Sequence, residues 1–213
     1  MAKQTKFPER KKRIVDAAMR VFARKGFFEA TVSEIAKEAK VSDATIYEYF
    51  PNKEKLLFEI PKEATLNGMG ELKFLLQCLR GAANKLRAFI YHQLQFYQNN
   101  PDCAAVILLV LKPYREYPKT PGYETIRVWS RIVTGIIQEG IDSGEFKADT
   151  NPYILRTIIL GAIEHAVISS LLLGRYSDLR ELADPITDLV IAGINKEKMK
   201  TNEVNLHIIL DPP

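Results

Sequence analysis

The part of the sequence that decides the fold is residues 31–58, which read TVSEIAKEAKVSDATIYEYFPNKEKLLF. Thr31 and Glu34 have the S/T-x-x-E spacing of a capping box, in which each side chain satisfies a free backbone N–H of the other at a helix start. Ser42 and Asn52 are two further N-cap residues, each followed by a helical pattern. Three helix starts in this one stretch predict two short helices joined by a tight turn, followed by a third helix.

A longer amphipathic helix precedes this stretch. Its apolar residues recur at i, i+3, i+4, i+7 and i+8, which is the period of one helix face. The stripe consists of Ile14, Ala17, Ala18, Val21 and Phe22. Gly26 occupies the position at which a glycine commonly ends a helix, so we place the first helix at about 8–25. One helix followed by two short ones with a tight turn between them is the layout of a helix-turn-helix.

The second short helix, DATIYEYF at 43–50, is the one that a helix-turn-helix places in the major groove of DNA. Ile46 and Phe50 are four residues apart and are expected to face the core of the module. Hydroxyl and carboxylate groups that can bond bases or phosphates face outward, on Asp43, Thr45, Tyr47 and Tyr49. Lys53, at the start of the next helix, is placed to bind a phosphate together with the helix N–H groups. From periodicity and charge alone, an ordinary amphipathic turn with aromatic packing is an equal alternative.

Positive charge is concentrated in the first part of the chain. The 213 residues include 30 Lys and Arg and 26 Asp and Glu, which gives a net charge of +4. Residues 1–60 contain 13 of the basic and 9 of the acidic residues, so residues 61–213 are neutral overall. This basic N-terminal part of the chain, which we call the head, favours a nucleic-acid partner for the helix-turn-helix.

The remainder of the chain is also predicted to be helical, with proline, glycine and asparagine at the helix ends. The predicted helices lie at about 71–98, 102–112, 123–142, 152–173 and 185–195, with a proline-containing loop at 114–122. We therefore expect an all-α fold with three parts. They are a helix-turn-helix domain at 1–55, a larger effector-binding and dimerisation domain at 56–196, and a tail at 197–213.

Several kinds of site and location are not expected. The longest uninterrupted apolar run, 104–111, is much shorter than the roughly 20 residues of a membrane span, and the basic N-terminus leads into no apolar signal segment. Cys78 and Cys103 fit neither a disulfide framework nor a zinc motif. The three histidines are not spaced as metal ligands, so no metal site is expected. These features indicate a cytoplasmic protein that is not inserted in a membrane.

Two other classes of function compete with DNA binding. An all-helical enzyme would need convergent catalytic groups, but the sequence has no paired carboxylates on one helix, no HExxH, no phosphate-binding glycine loop and no nucleophile motif. A helical adaptor that binds only protein has no need of a basic head. We therefore expect a DNA-binding regulator without enzymatic activity, with the enzyme and the adaptor as alternatives.

Residues 10–58 resemble, without a gap, the DNA-binding domain of the TetR family of bacterial transcriptional regulators. The resemblance rests on RIVDAAMRVFARKGF at 13–27 and TVSEIAKEAKVSDATIYEYFPNKEKLL at 31–57. It implies a homodimeric repressor whose all-helical C-terminal domain binds a small hydrophobic effector. Effector binding then releases the N-terminal domains from double-stranded operator DNA.

The resemblance also implies which side chains contact DNA. They are Thr31, Ser33, Lys40, Ser42, Asp43, Ala44, Thr45, Tyr47, Tyr49 and Lys53. Lys40 stands where many members have glycine, because the turn can require a positive φ. We expect Lys40 either to strain or loosen the turn, with its charge available for a phosphate. Glu48, where many members have an aromatic residue, is expected to point aside or to select a base.

The order of segments at 105–195 is most similar to family members that respond to fatty acids, which implies a fatty acid or fatty acyl-CoA effector and no other cofactor. The helices at 71–98, 102–112 and 123–142 supply apolar side chains for a core and a cavity. The predicted effector-binding residues are Phe89, His92, Phe96, Ile107, Leu111, Trp129 and Val133. For any one of them, a plain core position is the alternative. Arg115 and Arg127 are candidates for a phosphate or carboxylate, with a solvated surface position as the alternative for each.

The helices at 152–173 and 185–195 have more apolar side chains than one buried face needs, which indicates deep burial or an interface. Two such helices from each subunit would form a four-helix bundle across a two-fold axis. The predicted interface residues are Ile159, Ile163, Val167, Leu171, Ile186, Leu189 and Val190.

Overall fold

The computed structural model describes the backbone of residues 2–195, and their side chains except those of 2–6, 64–67, 121 and 125. Within this range the chain is helical and has no β-strand, as expected; the predicted tail at 197–213 lies outside it. The α-helices are α1 (Ala2–Glu29), α2 (Val32–Ala39), α3 (Asp43–Tyr49), α4 (Lys53–Cys78), α5 (Ala82–Asn99), α6 (Pro101–Ala105), α7 (Pro121–Asp142), α8 (Pro152–Leu173) and α9 (Ala183–Ile194). A π-helical segment (Val106–Leu111) follows α6, and 3-10 turns lie at Tyr117–Lys119 and Leu179–Leu182.

The predicted starts of α2, α3 and α4 are confirmed by their capping hydrogen bonds. Thr31 Oγ1 accepts from the Glu34 N–H at 3.2 Å, and the Glu34 carboxylate accepts from the Thr31 N–H at 3.0 Å. Ser42 Oγ and Asn52 Oδ1 each accept from the backbone N–H three residues on, at 3.2 and 2.9 Å. Because each cap satisfies a free N–H within its own first turn, the local sequence fixes where these helices begin.

The first helix is longer than the predicted 8–25. It reaches back to Ala2, with Pro8 inside it, and a further turn runs on to Glu29. Gly26 has φ 76° and ψ 174°, so the helical path breaks where the glycine predicted it would. Pro8 is the seventh residue of this helix, beyond the first turn, so it removes the N–H that would otherwise bond to a carbonyl oxygen one turn earlier.

The predicted continuous helix at 71–98 is wrong, since the chain breaks between α4 and α5. Gly81 has φ 82°, and α5 begins immediately after it. The Glu145 carboxylate caps α5 by accepting from the backbone N–H groups of Ala82 and Ala83 at 2.6 and 3.0 Å. The capping residue lies more than sixty residues away in the sequence, so no local capping pattern predicts where α5 begins.

The apolar stretch predicted as a helix at 102–112 divides into α6 and the π-helical segment. The wider turn is marked by the Lys112 N–H, which donates to the Ile107 carbonyl oxygen, five residues back, at 3.0 Å. Single π-turns inside helices occur frequently at functional sites, where they redirect side chains.

The head, α1–α3, is joined to the body, α5–α9, by α4. The predicted domain boundary near residue 55 falls inside this continuous helix. Leu56, Leu57 and Ile60 on its first turns are fully buried and belong to one apolar core that extends from the head into the body. Movement of the two parts is therefore tied to the position of α4.

Four of the seven predicted interface residues are packed inside the protomer, whereas Leu189 on α9, also predicted, is 78% exposed. Ile159, Ile163 and Val167 are buried inside the protomer itself, and so is Val190 on α9. The exposed apolar side chains of α8 lie on other faces, and include Ile154 and Ile158. Because α8 is apolar on several faces, its periodicity could not show which face packs inward.

Length and composition alone would also allow α8 to cross a membrane, since its 22 residues have a window of mean hydropathy 1.5. Helix α8 contains no long uninterrupted apolar run, because Arg156 and Glu164 interrupt its apolar sequence. A third of that window is buried in the protomer, where Ile159 and Ile163 belong to the core.

Candidate DNA interface and effector cavities

The predicted DNA-contacting side chains come together on one surface, formed by the start of α2 and by α3. Ser33, Asp43 and Ala44 are exposed there, and the Ser33 hydroxyl donates to the Asp43 carboxylate. Thr31 and Ser42 also lie on it as the N-caps of α2 and α3. The hydroxyls of Ser42 and Thr45 are hydrogen-bonded at 3.0 Å. These polar groups present donors and acceptors at helix N-termini, where phosphate oxygens are bound favourably.

Tyr47 and Glu48 project from α3, and Tyr47 is 53% exposed. Ile46 and Phe50 on the opposite face are buried, as predicted. The helix therefore offers a phenol and a carboxylate to solvent next to each other. Because phosphate repels a carboxylate, Glu48 is better suited to a base donor such as the amino group of cytosine.

The side chain of Tyr49 is less exposed than we predicted for an outward-facing residue. Its ring is half-buried and stacks on Phe7, with centroids 4.4 Å apart and an angle of 28° between the planes. The contact holds the N-terminal extension of α1 against the end of α3. Phe7 was missed because it precedes the predicted start of the first helix.

Lys40 adopts the left-handed conformation that many relatives reach with glycine. Its φ is 56° and its ψ 48°, and its N–H reaches the carbonyl oxygens of Ala36 and Lys37. A non-glycine residue in this region carries a strain cost of about 1–2 kcal/mol. The side chain is exposed and forms no ion pair with the part of the chain that the structure describes, so its charge is available for a phosphate.

Lys53 is not free to bind phosphate in the way that we predicted. Its Nζ donates to the carbonyl oxygens of Phe27 and Ala30, both at 2.7 Å, and lies 4.5 Å from the centre of the Phe27 ring. The ammonium therefore caps the end of α1 and ties it to the start of α4. Lysine capping of C-terminal carbonyls is stabilised by the helix dipole.

Several other cations of the head are neutralised by acids between α1 and α2. Arg20 and Arg24 both pair with Glu38, at 2.8 and 3.1 Å. The hydrogen bond from Lys25 and that from the Thr31 N–H lower the pKa of Glu34 to about 2. These pairs brace α2 against α1 and leave the exposed lysines to carry the positive charge of the head.

The body contains an open groove between α7 and α8 with a volume of about 760 Å³. Its walls carry four basic side chains, those of Lys112, Arg127, Arg131 and Arg156. Arg127 and Arg131 share Glu124 as a partner, and Lys112 pairs with Glu164. Of the two predicted arginines, Arg127 lines the groove and Arg115 does not. The other three basic side chains were missed, because they come together only when α7 and α8 pack. A groove with this charge attracts anions.

A smaller cavity of about 60 Å³, which we call the neck, adjoins this groove. It shares Lys112, Ser130, Leu160 and Glu164 with the groove. Its deeper walls are formed mainly by apolar side chains, including Phe96, Ile107 and Trp129. The structure thus brings three of the predicted effector residues together.

Other predicted effector residues are placed differently. Phe89, Leu111 and Val133 are fully buried core residues and line none of the described cavities, so the core alternative is the correct one for them. His92 lines a second, polar cavity of about 290 Å³ between α1, α4, α5 and α6. Periodicity identifies buried positions, but it cannot show which of them face a cavity.

The cavity and the neck are separated by aromatic rings. Phe96 lines both spaces, and the His92 ring stacks on Trp129 with centroids 5.8 Å apart. Burial lowers the pKa of His92 and raises that of Cys103 to about 12, so both side chains are neutral at pH 7.

The π-helical segment connects the neck to the head. Ile107 and Lys112 line the neck, and Tyr114, two residues further on, contacts the end of α1. The Tyr114 ring lies 5.7 Å from the centroid of Phe27 and 5.7 Å from that of Phe58 on α4. The segment that lines the neck is thus followed within two residues by a ring that contacts the head.

Comparison with known proteins agrees with both parts of this architecture. Residues 14–60 match the family of bacterial regulatory proteins, tetR family, and residues 71–193 match the C-terminal region of YsiA-like proteins. The fatty acid metabolism regulator protein of Bacillus subtilis is 30% identical over 86% of this chain and 95% of its own length. The matches confirm the predicted family.

Solved structures give the same result. The fatty acid degradation regulator FadR from Bacillus halodurans superimposes with a TM-score of 0.80 at 26% identity, covering 86% of this chain and 95% of that chain. FadR from Bacillus subtilis, solved in complex with stearoyl-CoA, has a TM-score of 0.80 at 31% identity, covering 86% and 99%. Because these relatives are regulators, the enzyme alternative is set aside. The chain belongs to the TetR family of bacterial regulatory proteins, and is a ligand-responsive, DNA-binding regulator of transcription.

Proposed function

We propose that this protein is a homodimeric, cytoplasmic repressor that a long-chain fatty acyl-CoA releases from its operator. The observation that carries the proposal is that the apolar neck adjoins the basic groove. The two spaces share four lining residues, so one ligand with an anionic head and an apolar chain can occupy both.

The groove suits the phosphates of the CoA moiety. Arginine and lysine bind phosphate through charge-assisted hydrogen bonds, and Arg156 has no acidic partner among the residues that the structure describes. Its guanidinium lies 5.5 Å from the centre of the Tyr153 ring, which leaves its N–H groups available to a ligand.

The neck suits the acyl chain. Ile107, Trp129 and Phe96 offer apolar surface, and each buried methylene of a ligand gains about 0.8 kcal/mol. The neck is narrow in this structure, so a long chain has to displace side chains as it enters. That displacement gives binding a route to alter the π-helical segment and, through Tyr114, the head.

The exposed apolar side chains of α8 and α9 support a homodimer. Ile154 and Ile158 on α8, and Leu189 on α9, expose more than half of their surface. Contiguous exposed apolar patches mark interaction surfaces. We propose that these faces, which include the predicted Leu189 but not the buried residues of α8, pair across a two-fold axis and set the spacing of the two α3 helices.

Operator binding tests the proposal directly. Fluorescence anisotropy with a labelled fragment of the promoter region next to the gene gives the operator affinity with and without stearoyl-CoA. We expect stearoyl-CoA to weaken DNA binding by about 5- to 150-fold, the usual range of allosteric coupling. CoA alone should have little effect, because it lacks the chain that enters the neck.

A variant of the groove links this effect to the site. Arg156→Gln should require a higher concentration of stearoyl-CoA for release, whereas Arg175→Gln, an exposed position outside the groove, should behave like the unmodified protein. If a folded, dimeric protein keeps its operator affinity at saturating stearoyl-CoA, the proposed effector is wrong.

A further inference from the structure

The polar cavity between α1, α4, α5 and α6 differs in charge from the basic groove. Its charged lining residues are Lys12 and Asp16 on α1 and Glu63 and Glu71 on α4. Three carboxylates therefore face one ammonium group. A phosphate-bearing effector is repelled by this lining, so the cavity and the groove select ligands of opposite charge.

Two of these carboxylates have no ion-pair partner among the described residues. Lys12 pairs with Asp16 at 2.9 Å, whereas Glu63 and Glu71 form no ion pair with any described residue. They are eight residues apart on α4, which is about 12 Å along a helix at 1.5 Å per residue. The cavity thus presents two separate negative groups along its length.

The buried part of the cavity contributes a ring nitrogen with no hydrogen-bond partner in the described part of the chain, that of His92. His92 is 8% exposed, and its Nδ1 has no hydrogen-bond partner among the described residues. Burial keeps the ring neutral, so one of its nitrogens accepts a hydrogen bond. A polar atom that is buried without a partner is costly, whereas a ligand or a water in the cavity can pair with the ring.

Carboxamides add further acceptors. Gln95, Asn99 and Asn100 all line the cavity. The Asn100 amide nitrogen already donates to the Phe96 carbonyl at 2.8 Å, which leaves its carboxamide oxygen as an acceptor. The lining is therefore rich in acceptors and negative charge, and it contains an aromatic ring, that of Phe96, which favours a neighbouring cation.

We propose that this cavity is a second ligand site, which binds a linear aliphatic polyamine with ammonium groups at both ends. The terminal ammonium groups meet Glu63 and Glu71, and N–H groups donate to the neutral acceptors between them. At roughly 30 Å³ for each water-sized group, the volume of about 290 Å³ holds about ten non-hydrogen atoms, which is the size of a short polyamine.

The position of the cavity gives the ligand a regulatory role. Val15 and Met19 of α1 line it together with residues of α4 and α5. A bound polyamine touches the DNA-binding head and the effector-binding body at the same time, so it stabilises one placement of the head. This role is separate from that of the acyl-CoA, and it does not depend on the identity of the effector in the groove.

Calorimetry and thermal unfolding of the full chain without DNA test the proposal, with spermidine as the probe. We expect saturable binding and a rise in Tm. Glu63→Gln and Glu71→Gln should each weaken spermidine binding by tenfold or more. Glu181→Gln, an exposed position away from the cavity, is the matched control and should leave binding unchanged.

The outcomes separate this proposal from the effector assignment. The two cavity variants should keep their response to stearoyl-CoA, since the groove is untouched. An absence of saturable spermidine binding, or equal binding by the cavity variants and the unmodified chain, would overturn the polyamine site. So would Mg²⁺ binding with the same dependence on both variants, because it would show a general cation effect.

Discussion

Phe7 stacks on Tyr49, and this pair joins the first turns of α1 to the end of α3. The ring of Tyr49 also packs against Phe50, 6.4 Å away, which is part of the core of the head. We therefore propose that Tyr49 supports DNA binding by fixing the orientation of α3. Its support comes from a residue outside the compact helix-turn-helix.

The first prediction concerns this stacked pair. Phe7→Ala removes an interaction of about 0.5–1.5 kcal/mol beyond its buried area, so operator binding should weaken by about 2- to 10-fold as α3 loses its support. Anisotropy with the operator fragment measures the change. Phe74→Ala, at an exposed aromatic position on α4, is the control. Unchanged affinity for Phe7→Ala would show that α3 is held without the stack.

The second prediction concerns Lys53. Lys53→Ala leaves the carbonyl groups of Phe27 and Ala30 without their donor, so the free energy of unfolding should fall by about 1–3 kcal/mol. Urea denaturation measures this, with the exposed Lys55→Ala as the control. The slope of log affinity against log salt should stay the same, whereas loss of a phosphate contact would lower it by about one. A lower salt slope with an unchanged free energy of unfolding would instead support the phosphate contact that we predicted from the sequence.

These cases show which structural features can be predicted from the sequence. Thr31, Ser42 and Asn52 cap helices through groups only three residues away, so their roles could be predicted from local spacing. Glu145 caps α5 across the fold, and this relationship exists only after packing. The same holds for Lys53, whose partners lie more than twenty residues earlier in the chain.

The candidate site was less predictable than the fold. Apolar periodicity selected Phe89 and Val133 together with Phe96 and Trp129, but only the latter two line the neck. All four are partly or fully buried, so a cavity wall and a core position have the same sequence pattern. The basic groove depends on the packing angle of α7 and α8, which no single helix encodes.

The third prediction concerns the exposed face of α8. Ile158 is 55% exposed, so Ile158→Arg places a charge on the proposed interface without disturbing the protomer core. The variant should remain folded and become monomeric, because burying an unpaired charge in an interface is unfavourable. Light scattering with size-exclusion chromatography gives the mass, and circular dichroism the helical content. Phe74→Arg, exposed on α4, should stay dimeric; a dimer of Ile158→Arg would move the interface elsewhere.

The fourth prediction concerns the contact between Tyr114 and Phe27, which carries a change at the neck to the end of α1. Tyr114→Ala removes the ring that touches both Phe27 and Phe58. Stearoyl-CoA should still bind, because Tyr114 lines neither the groove nor the neck. Its effect on operator affinity should fall, since coupling needs a physical connection between the two sites.

Two measurements on the Tyr114→Ala variant distinguish transmission from simple damage. Calorimetry gives the affinity for stearoyl-CoA, and anisotropy gives the operator affinity with and without it. Tyr91→Ala, at an exposed position on α5, controls for the loss of a tyrosine. Tyr114→Ala that binds stearoyl-CoA and releases the operator as fully as the unmodified chain would exclude this contact. Transmission would then run through α4, whose first turns belong to the core of the head and whose later turns pack in the body.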